Sequence, residues 1–358
     1  MHDVVIIGGG VIGLAIARGL GATKSVVLLD RGELGGGTSW AAAGILSPQS
    51  ESNEPGPFFD LCMASRRLYP KFVAALRDET GLDPQYSDEG LLFLASSAEE
   101  YAVLENRCRW QRAIGLEAEM VSSARVRELE PLVTLQSKGA MLIPGDPHIV
   151  PRRLVQVLRE SCLKRGVEIR TGVGVEGVVD HGVRVGDRTI EARHVVVASG
   201  VWSPELSGLD PQIPVRPRKG QILSLNMPDR AFRRIVRCQH AYMVPRPTGE
   251  IVIGATNEDV GFDRTVTDAA IEGLQETARK MAEVVGSYPV REKWTGLRPA
   301  TPDGLPVIGR SAVPGVLYAT GHYRNGILLA PVTAAIVASL IQEEEPPVTI
   351  DPFSPFRF

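Results

Sequence analysis

The stretch D-V-V-I-I-G-G-G-V-I-G-L-A-I-A-R-G-L, residues 3–20, constrains the fold of this chain more than any other. Residues 3–8 read as a buried strand, and Gly8, Gly10 and Gly13 follow in G-x-G-x-x-G spacing. L-A-I-A-R-G-L continues as a helix, and a second apolar run, S-V-V-L-L-D, ends at Asp30. Strand, glycine turn, helix, strand and acid in that order open a doubly wound α/β sheet that binds a dinucleotide. Gly8 allows the tight turn, Gly10 lets the backbone approach a pyrophosphate, and Gly13 lets the helix pack closely on the strand. The helix N-terminus then faces the phosphates, and Asp30 can accept from a ribose hydroxyl.

Two further segments bear on which dinucleotide this is. E-L-G-G-G-T-S at 33–39 follows Asp30 directly, so it reads as a loop folding over the same ligand rather than a second nucleotide fingerprint. H-V-V-V-A-S-G-V-W-S at 194–203 reads as another strand ending in small residues, able to pass close to a cofactor. One long dinucleotide touched by the beginning, middle and end of the chain suits FAD better than NAD. With no second fingerprint for NAD(P)H, the reductant would be an organic substrate.

At 358 residues the chain exceeds the usual limit of a single core, so two domains are expected. Helical periodicity marks 57–80, 98–115, 150–165 and 265–285, and strand-like runs fall near 90–95, 137–143, 220–225, 241–245 and 250–255. No long linker divides them. The pattern predicts a Rossmann-type cofactor domain (1–80, 143–215 and 296–358) interleaved with a mixed-sheet α+β substrate domain (81–142 and 216–295).

A net charge of −3 gives no electrostatic reason to expect nucleic acid or an anionic membrane as partner. The one basic knot, R-A-F-R-R-I-V-R at 230–237, reads as a solvated face. Four scattered cysteines form no C-x-x-C pair, and the six histidines show no ligand spacing, so no metal site is expected. His148, in G-D-P-H, reads as a structural loop residue. The N-terminus shows no basic leader region or cleavage site. Past Asn325 come sixteen residues without a charge, G-I-L-L-A-P-V-T-A-A-I-V-A-S-L-I. That run is shorter than the ~20 residues a spanning helix needs, and it contains Pro331 and Thr333. A buried helix of a cytoplasmic protein is expected, with Arg324 at its mouth.

The opening fingerprint, G-G-G-T-S-W-A-A-A-G-I-L at 35–46, the 194–203 segment, W-T-G-L-R-P-A-T-P-D-G-L-P-V-I-G at 294–309 and G-H-Y-R-N-G-I-L-L-A-P at 321–331 together resemble the D-amino-acid oxidase family. The likeness covers essentially the whole chain and lies nearest the glycine-oxidising branch of bacterial thiamine biosynthesis. It implies non-covalent FAD, oxidation of a small amino acid to its imine, reoxidation by oxygen to give peroxide, and a tetramer. By the same likeness Arg298 holds the substrate carboxylate, Tyr242 donates its phenol to it, and Arg324 is a second active-site arginine beside the cofactor. His240 and Asn257 are further candidates for the substrate pocket. FAD contacts would fall on Val11, Ile12, Asp30, Arg31, Thr38, Ser39, Ala43, Gly44, Ile45 and Val175. The run His322, Tyr323, Arg324, Asn325, Gly326, Ile327 and Leu328 would complete them. One position departs from the pattern: Asn257 stands where the glycine-oxidising branch carries methionine. No cysteine follows Cys238, so the covalent flavin link of monomeric sarcosine oxidases has no counterpart.

An oxidase of this kind moves a hydride from Cα, and the amine must be neutral so that its lone pair can form the C=N bond. No protein base is needed at Cα; orientation and charge stabilisation are. If the 326–341 run is a helix, its N-terminal N–H groups can point at the negative edge of a reduced flavin, with Arg324 at the same end. The competing expectation is a dehydrogenase of the same fold that passes electrons to a quinone or carrier.

Overall fold

The structure, a computed structural model, describes residues 1–134, 137–228 and 230–358. Along the chain lie β1 (His2–Ile7), α1 (Val11–Leu20), β2 (Val26–Asp30), α2 (Thr38–Ala41), α3 (Pro48–Glu51), α4 (Pro57–Thr80), β3 (Leu91–Ala95) and α5 (Ala98–Ala113). Next come β4 (Glu119–Val121), α6 (Ser123–Leu129), β5 (Gly139–Ile143), α7 (Pro151–Lys164), β6 (Glu168–Thr171), β7 (Gly177–Val179), β8 (Gly182–Val185) and β9 (Arg188–Val197). The rest is β10 (Arg216–Asn226), β11 (Ile235–Arg237), β12 (Tyr242–Pro245), β13 (Glu250–Gly254), α8 (Asp268–Met281), β14 (Val290–Ala300), β15 (Val307–Arg310), β16 (Val316–Thr320) and α9 (Gly326–Gln342).

The first sheet runs β15-β16-β9-β1-β2-β6, with β1 parallel to both β2 and β9 and a β7–β8 hairpin added at β9. A parallel sheet is covered on both faces, which is why β1 and β2 are apolar throughout rather than alternating. Val4, Ile6 and Leu28 join the core beneath α1, α4, α7 and α9. Val5, Ile7, Val27 and Leu29 face the core on the other side. The fingerprint sits where the sequence predicts it. A Cβ on Gly13 would overlap the carbonyl oxygen of Gly8, so only glycine lets α1 lie this close to the turn.

The uncharged run forms α9 with Asn325 as its N-cap, and the helix continues through Pro331. A proline there removes the N–H that would bond the carbonyl four residues back. Tyr69 of α4 donates its phenol to that orphaned Ile327 carbonyl. Ser65, one turn earlier on α4, donates to the Leu328 carbonyl at 2.6 Å and accepts from the Val332 N–H at 3.4 Å. Two hydroxyls of a neighbouring helix therefore complete the ladder that the proline interrupts.

The second sheet runs β14-β10-β13-β12-β11-β3-β5-β4. Its antiparallel registers pair Gly220 with Gly296, Arg218 with Arg298, and Gly254 with both Ile222 and Tyr242. Side chains alternate across a strand, so Gly220, Ile222, Val252, Gly254, Tyr242, Trp294, Gly296 and Arg298 share one face. Leu223, Leu225, Met243, Ile251 and Ile253 point the other way, into a core capped by α8. The predicted strand at 220–225 is longer than expected, Arg216–Asn226, and the W-T-G-L-R-P motif lies on β14, which the sequence did not mark as a strand. The boundary expected at 296 falls inside β14. The 265–285 helix is shorter, because Ala282 leaves the helical region (φ −148°) and a 3-10 turn, Glu283–Ser287, follows.

Candidate active site

The cofactor-facing end of the first sheet and the glycine-bearing face of the second enclose a cavity of about 830 Å³. That is toward the upper end of the ~300–1,000 Å³ typical of small-molecule sites. At its first-sheet end the Asp30 carboxylate accepts the backbone N–H of Gly9 at 2.6 Å and of Gly32 at 2.7 Å, which fixes the acid at the mouth of the glycine turn. Ser39 reaches back to accept from the Val11 N–H at 3.0 Å. The 38–45 segment is held from the second sheet: Thr38 donates to the Leu297 carbonyl and Trp294 Nε1 donates to Ala41 at 3.0 Å. Arg246, itself buried, donates to the Ala43 carbonyl at 2.6 Å. Gly8, Gly10, Val11, Ile12, Asp30, Arg31, Thr38, Ser39, Ala43, Gly44, Ile45 and Val175 all line the cavity, as does the run from His322 to Ile327. Gly13 and Leu328 do not; the first is a packing glycine and the second lies in the core behind α9.

Two helix N-termini reach this space. Neither Gly10, ahead of α1, nor Asn325, ahead of α9, makes a side-chain cap bond. Ser39 already takes the Val11 N–H of α1, so that end offers its remaining first-turn N–H groups, and both ends present the positive pole of a helix. His322 does not contribute a charge: its Nε2 lies 3.1 Å from Thr333 Oγ1, and burial pushes its imidazole down to about 3, so it is neutral. His148 is likewise buried and pushed down to about 3, by burial and then by Arg246.

At the other end stand Arg298 and Tyr242, where the register brings them together. A Cβ on Gly220 would overlap the Arg298 guanidinium, and one on Gly254 would come within 2.6 Å of the Tyr242 hydroxyl. The two glycines thus leave the hollow that these side chains fill. Arg298 Nη1 donates to the Thr256 carbonyl at 3.1 Å, which aims the fork while other donors stay open to the cavity. Burial pushes the Tyr242 phenol up, so it is a proton donor across the neutral range. His240 and Asn257 line the rim, both exposed. Asn257 Nδ2 donates to the Tyr323 hydroxyl at 3.1 Å.

Arg324 is at the mouth of α9, but its charge is not free: Nη2 sits 3.2 Å from Glu51 Oε2. Glu51 also pairs with Arg237. Burial opposes the Glu51 charge, but the Arg237 and Arg324 guanidiniums outweigh it and hold the carboxyl below its ordinary range. The sequence did not single out Glu51 or Arg237, and both line the cavity. Arg237 corrects the reading of 230–237 as a solvated face. Arg230 and Arg233 are exposed, whereas Arg234 pairs with the buried Glu130 and Arg237 turns inward. The signal that could have found Arg237 is register. It lies directly across the β11–β12 hairpin from Tyr242, and opposed residues share a face.

The sequence pattern of the FAD dependent oxidoreductase family, DAO, matches residues 3–340, and the chain belongs to that family. FAD is accordingly its cofactor. The cavity fits it: a glycine turn with close backbone approach, an acid at the end of β2 and the starts of two helices are the features a flavin dinucleotide requires. The chain is 33% identical over 362 residues to glycine oxidase from Geobacillus kaustophilus, covering 99% of this chain and 96% of that one. The crystal structure of that enzyme superposes with a TM-score of 0.96 over 100% of this chain and 99% of the other. A bifunctional protein ThiO/ThiG from Nostoc sp. is 39% identical over 357 residues, 96% of this chain. The chain spans about half of that protein, 53%. No helix among the described residues is long and apolar enough to cross a membrane.

Proposed function

We propose that this chain oxidises glycine and other small amines or D-amino acids to the imine, which water converts to the 2-oxo acid. Oxygen is the final acceptor and hydrogen peroxide the product. Bound FAD supplies the two-electron acceptor. Arg298 takes the substrate carboxylate in a bidentate fork, fixing position and rotation together. Tyr242 donates its phenol to the same carboxylate and walls the pocket. Gly8, Gly10 and α1 hold the pyrophosphate, Asp30 the ribose, and the start of α9 with Arg324 the flavin edge that gains negative charge.

The charge balance near Tyr242 supports the neutral-amine requirement. Arg298, Arg237 and Arg324 face one carboxylate, Glu51. One substrate carboxylate still leaves an excess of positive charge, and nearby cations disfavour a protonated amine. The observation that carries the reading is the pair Arg298 and Tyr242 over Gly220 and Gly254, a carboxylate clamp built into the same cavity as the FAD fingerprint. The full-length likeness to glycine oxidases supports glycine as substrate, and the likeness to ThiO/ThiG proteins supports a role in making the thiazole of thiamine. We propose the cytoplasm as its location and a homo-oligomer as its assembly.

Anaerobic titration of the purified protein with glycine, followed by admission of air, tests the reading. The visible flavin band should bleach and then recover. Bleaching without prompt recovery would replace oxygen by a quinone or carrier, and no bleaching would remove glycine as the substrate.

A further inference from the structure

The loop joining β13 to α8, residues 255–267, leaves the second sheet and reaches the first layer on the far side of the cavity. Its seat is polar and buried. Lys219 and Gln221 lie on the face of β10 turned away from the cavity, and Lys219 is only 1% exposed. Lys219 Nζ donates to Asp263 Oδ2 and to the Thr265 carbonyl, both at 2.9 Å. Gln221 Nε2 donates to Glu258 at 2.9 Å, and its Oε1 accepts from the Thr267 N–H at 2.8 Å. An ammonium this buried needs such partners, so lysine and loop hold each other in place.

From that seat the loop is fastened twice. Near the substrate end, Asn257 bonds Tyr323. At the tip, after Gly261 (φ +60°), Phe262 stacks on Trp202 with ring centroids 4.5 Å apart and planes 21° apart. Trp202 belongs to the 3-10 turn Gly200–Glu205 that follows β9, and it lines the cavity. The Arg31 guanidinium carbon lies 3.4 Å from the same indole centroid, and Arg31 also pairs with Glu205 at 3.3 Å. Two stacked partners cannot share one face of a ring, so Trp202 is held between them. Arg31 follows Asp30, the acid at the ribose position, which places this stack at the adenosine end of the dinucleotide. Phe262 is otherwise a 46% exposed aromatic at a loop tip, and the reaction has no use for it.

We propose that residues 255–267 form a strap that retains FAD, and that the Phe262–Trp202–Arg31 stack is its clasp over the adenosine end. Release of the dinucleotide requires the clasp to open, and Phe262 and Trp202 act as positioning residues remote from the transformed substrate.

The test dilutes the purified holoprotein and follows FAD release by the rise in flavin fluorescence, without substrate. Phe262→Ala should release FAD about two- to tenfold faster, the scale of one aromatic pair. Phe262→Tyr, which keeps the stack, should restore the parent rate. The melting temperature of the apoprotein should not move in either variant, because the ring sits at an exposed tip. Release from Phe262→Ala within about twofold of the parent, less than the low end of that scale, would overturn the proposal. So would failure of Phe262→Tyr to restore retention. Because no amino acid is present, this outcome is separable from whether glycine is the substrate.

Discussion

The two ends of the cavity are built from different materials. The end at the glycine turn meets the cavity largely with backbone, at Gly8, Gly10 and the starts of α1 and α9, and Asp30 beside it already accepts two backbone N–H groups; side chains gather only at its rim, in Arg31, Trp202 and Glu205. The end we propose for the substrate is side chain and charge: Arg298, Arg237, Arg324, Glu51 and the buried phenol of Tyr242. Backbone donors cannot be deleted by substitution; they can only be displaced by adding atoms. Charged side chains can be deleted one at a time, and each deletion strands a partner. The two ends should therefore fail in opposite ways.

The largest break belongs to the charged end. Arg298→Ala should weaken productive substrate binding by ~3–5 kcal/mol, the scale for removing one member of a desolvated charge pair. FAD should stay bound, so steady-state kinetics with glycine, read beside flavin content, separates the two ends. A loss of less than about tenfold in kcat/KM, ~1.4 kcal/mol, would take the carboxylate away from Arg298.

The reverse break comes next. Gly13→Ala adds one carbon where the Gly8 carbonyl stands, and overpacking of this kind costs ~1–3 kcal/mol. The melting temperature and FAD content should fall together, while the protein that keeps its flavin retains an unchanged KM for glycine. An altered KM with full FAD content would mean that the ends are not independent.

Acid sharpens the contrast most gradually, one pH unit at a time. His322, behind the dinucleotide end, and His148 are neutral in the fold, with imidazoles near 3. The unfolded chain protonates them near pH ~6.5, so it binds more protons than the fold between about 6.5 and 3. Stability is therefore full above about 6.5 and declines as pH falls, by ~1.4 kcal/mol per pH unit for each histidine. Glu51 loses its charge only below the ordinary carboxylate range. Denaturant unfolding of the parent and of His322→Asn across this window measures the slope, which should be shallower in the variant. Equal slopes would deny His322 its part.

The same difference in material decides what the sequence discloses. A backbone site is written in adjacent residues, so Gly8 to Asp30 could be read in order, and α9 could be read from sixteen uncharged residues. Arg298, Tyr242 and Arg324 stand out only through motifs shared with a family, not through their sequence surroundings; the structure shows that all three line the cavity. Glu51 and Arg237 were not reached. They are 186 residues apart, and only the fold makes them a pair. Arg237 was also concealed by company, since Arg230, Arg233 and Arg234 make the segment look like a surface. The strap was illegible for a related reason: Lys219 and Gln221 sit on a strand face that pattern would assign to apolar residues, and their partners lie more than thirty residues ahead.

The hydroxyls of Ser65 and Tyr69 give α9 a joint. Because Pro331 breaks the helix's own ladder one turn from its tip, the bearing of that tip is set by α4 and not by α9 alone. The positive pole of α9 is thus an instrument on a mount. Its aim into the cavity can be trimmed from a neighbouring helix, by side chains bonded to its backbone rather than carried on it.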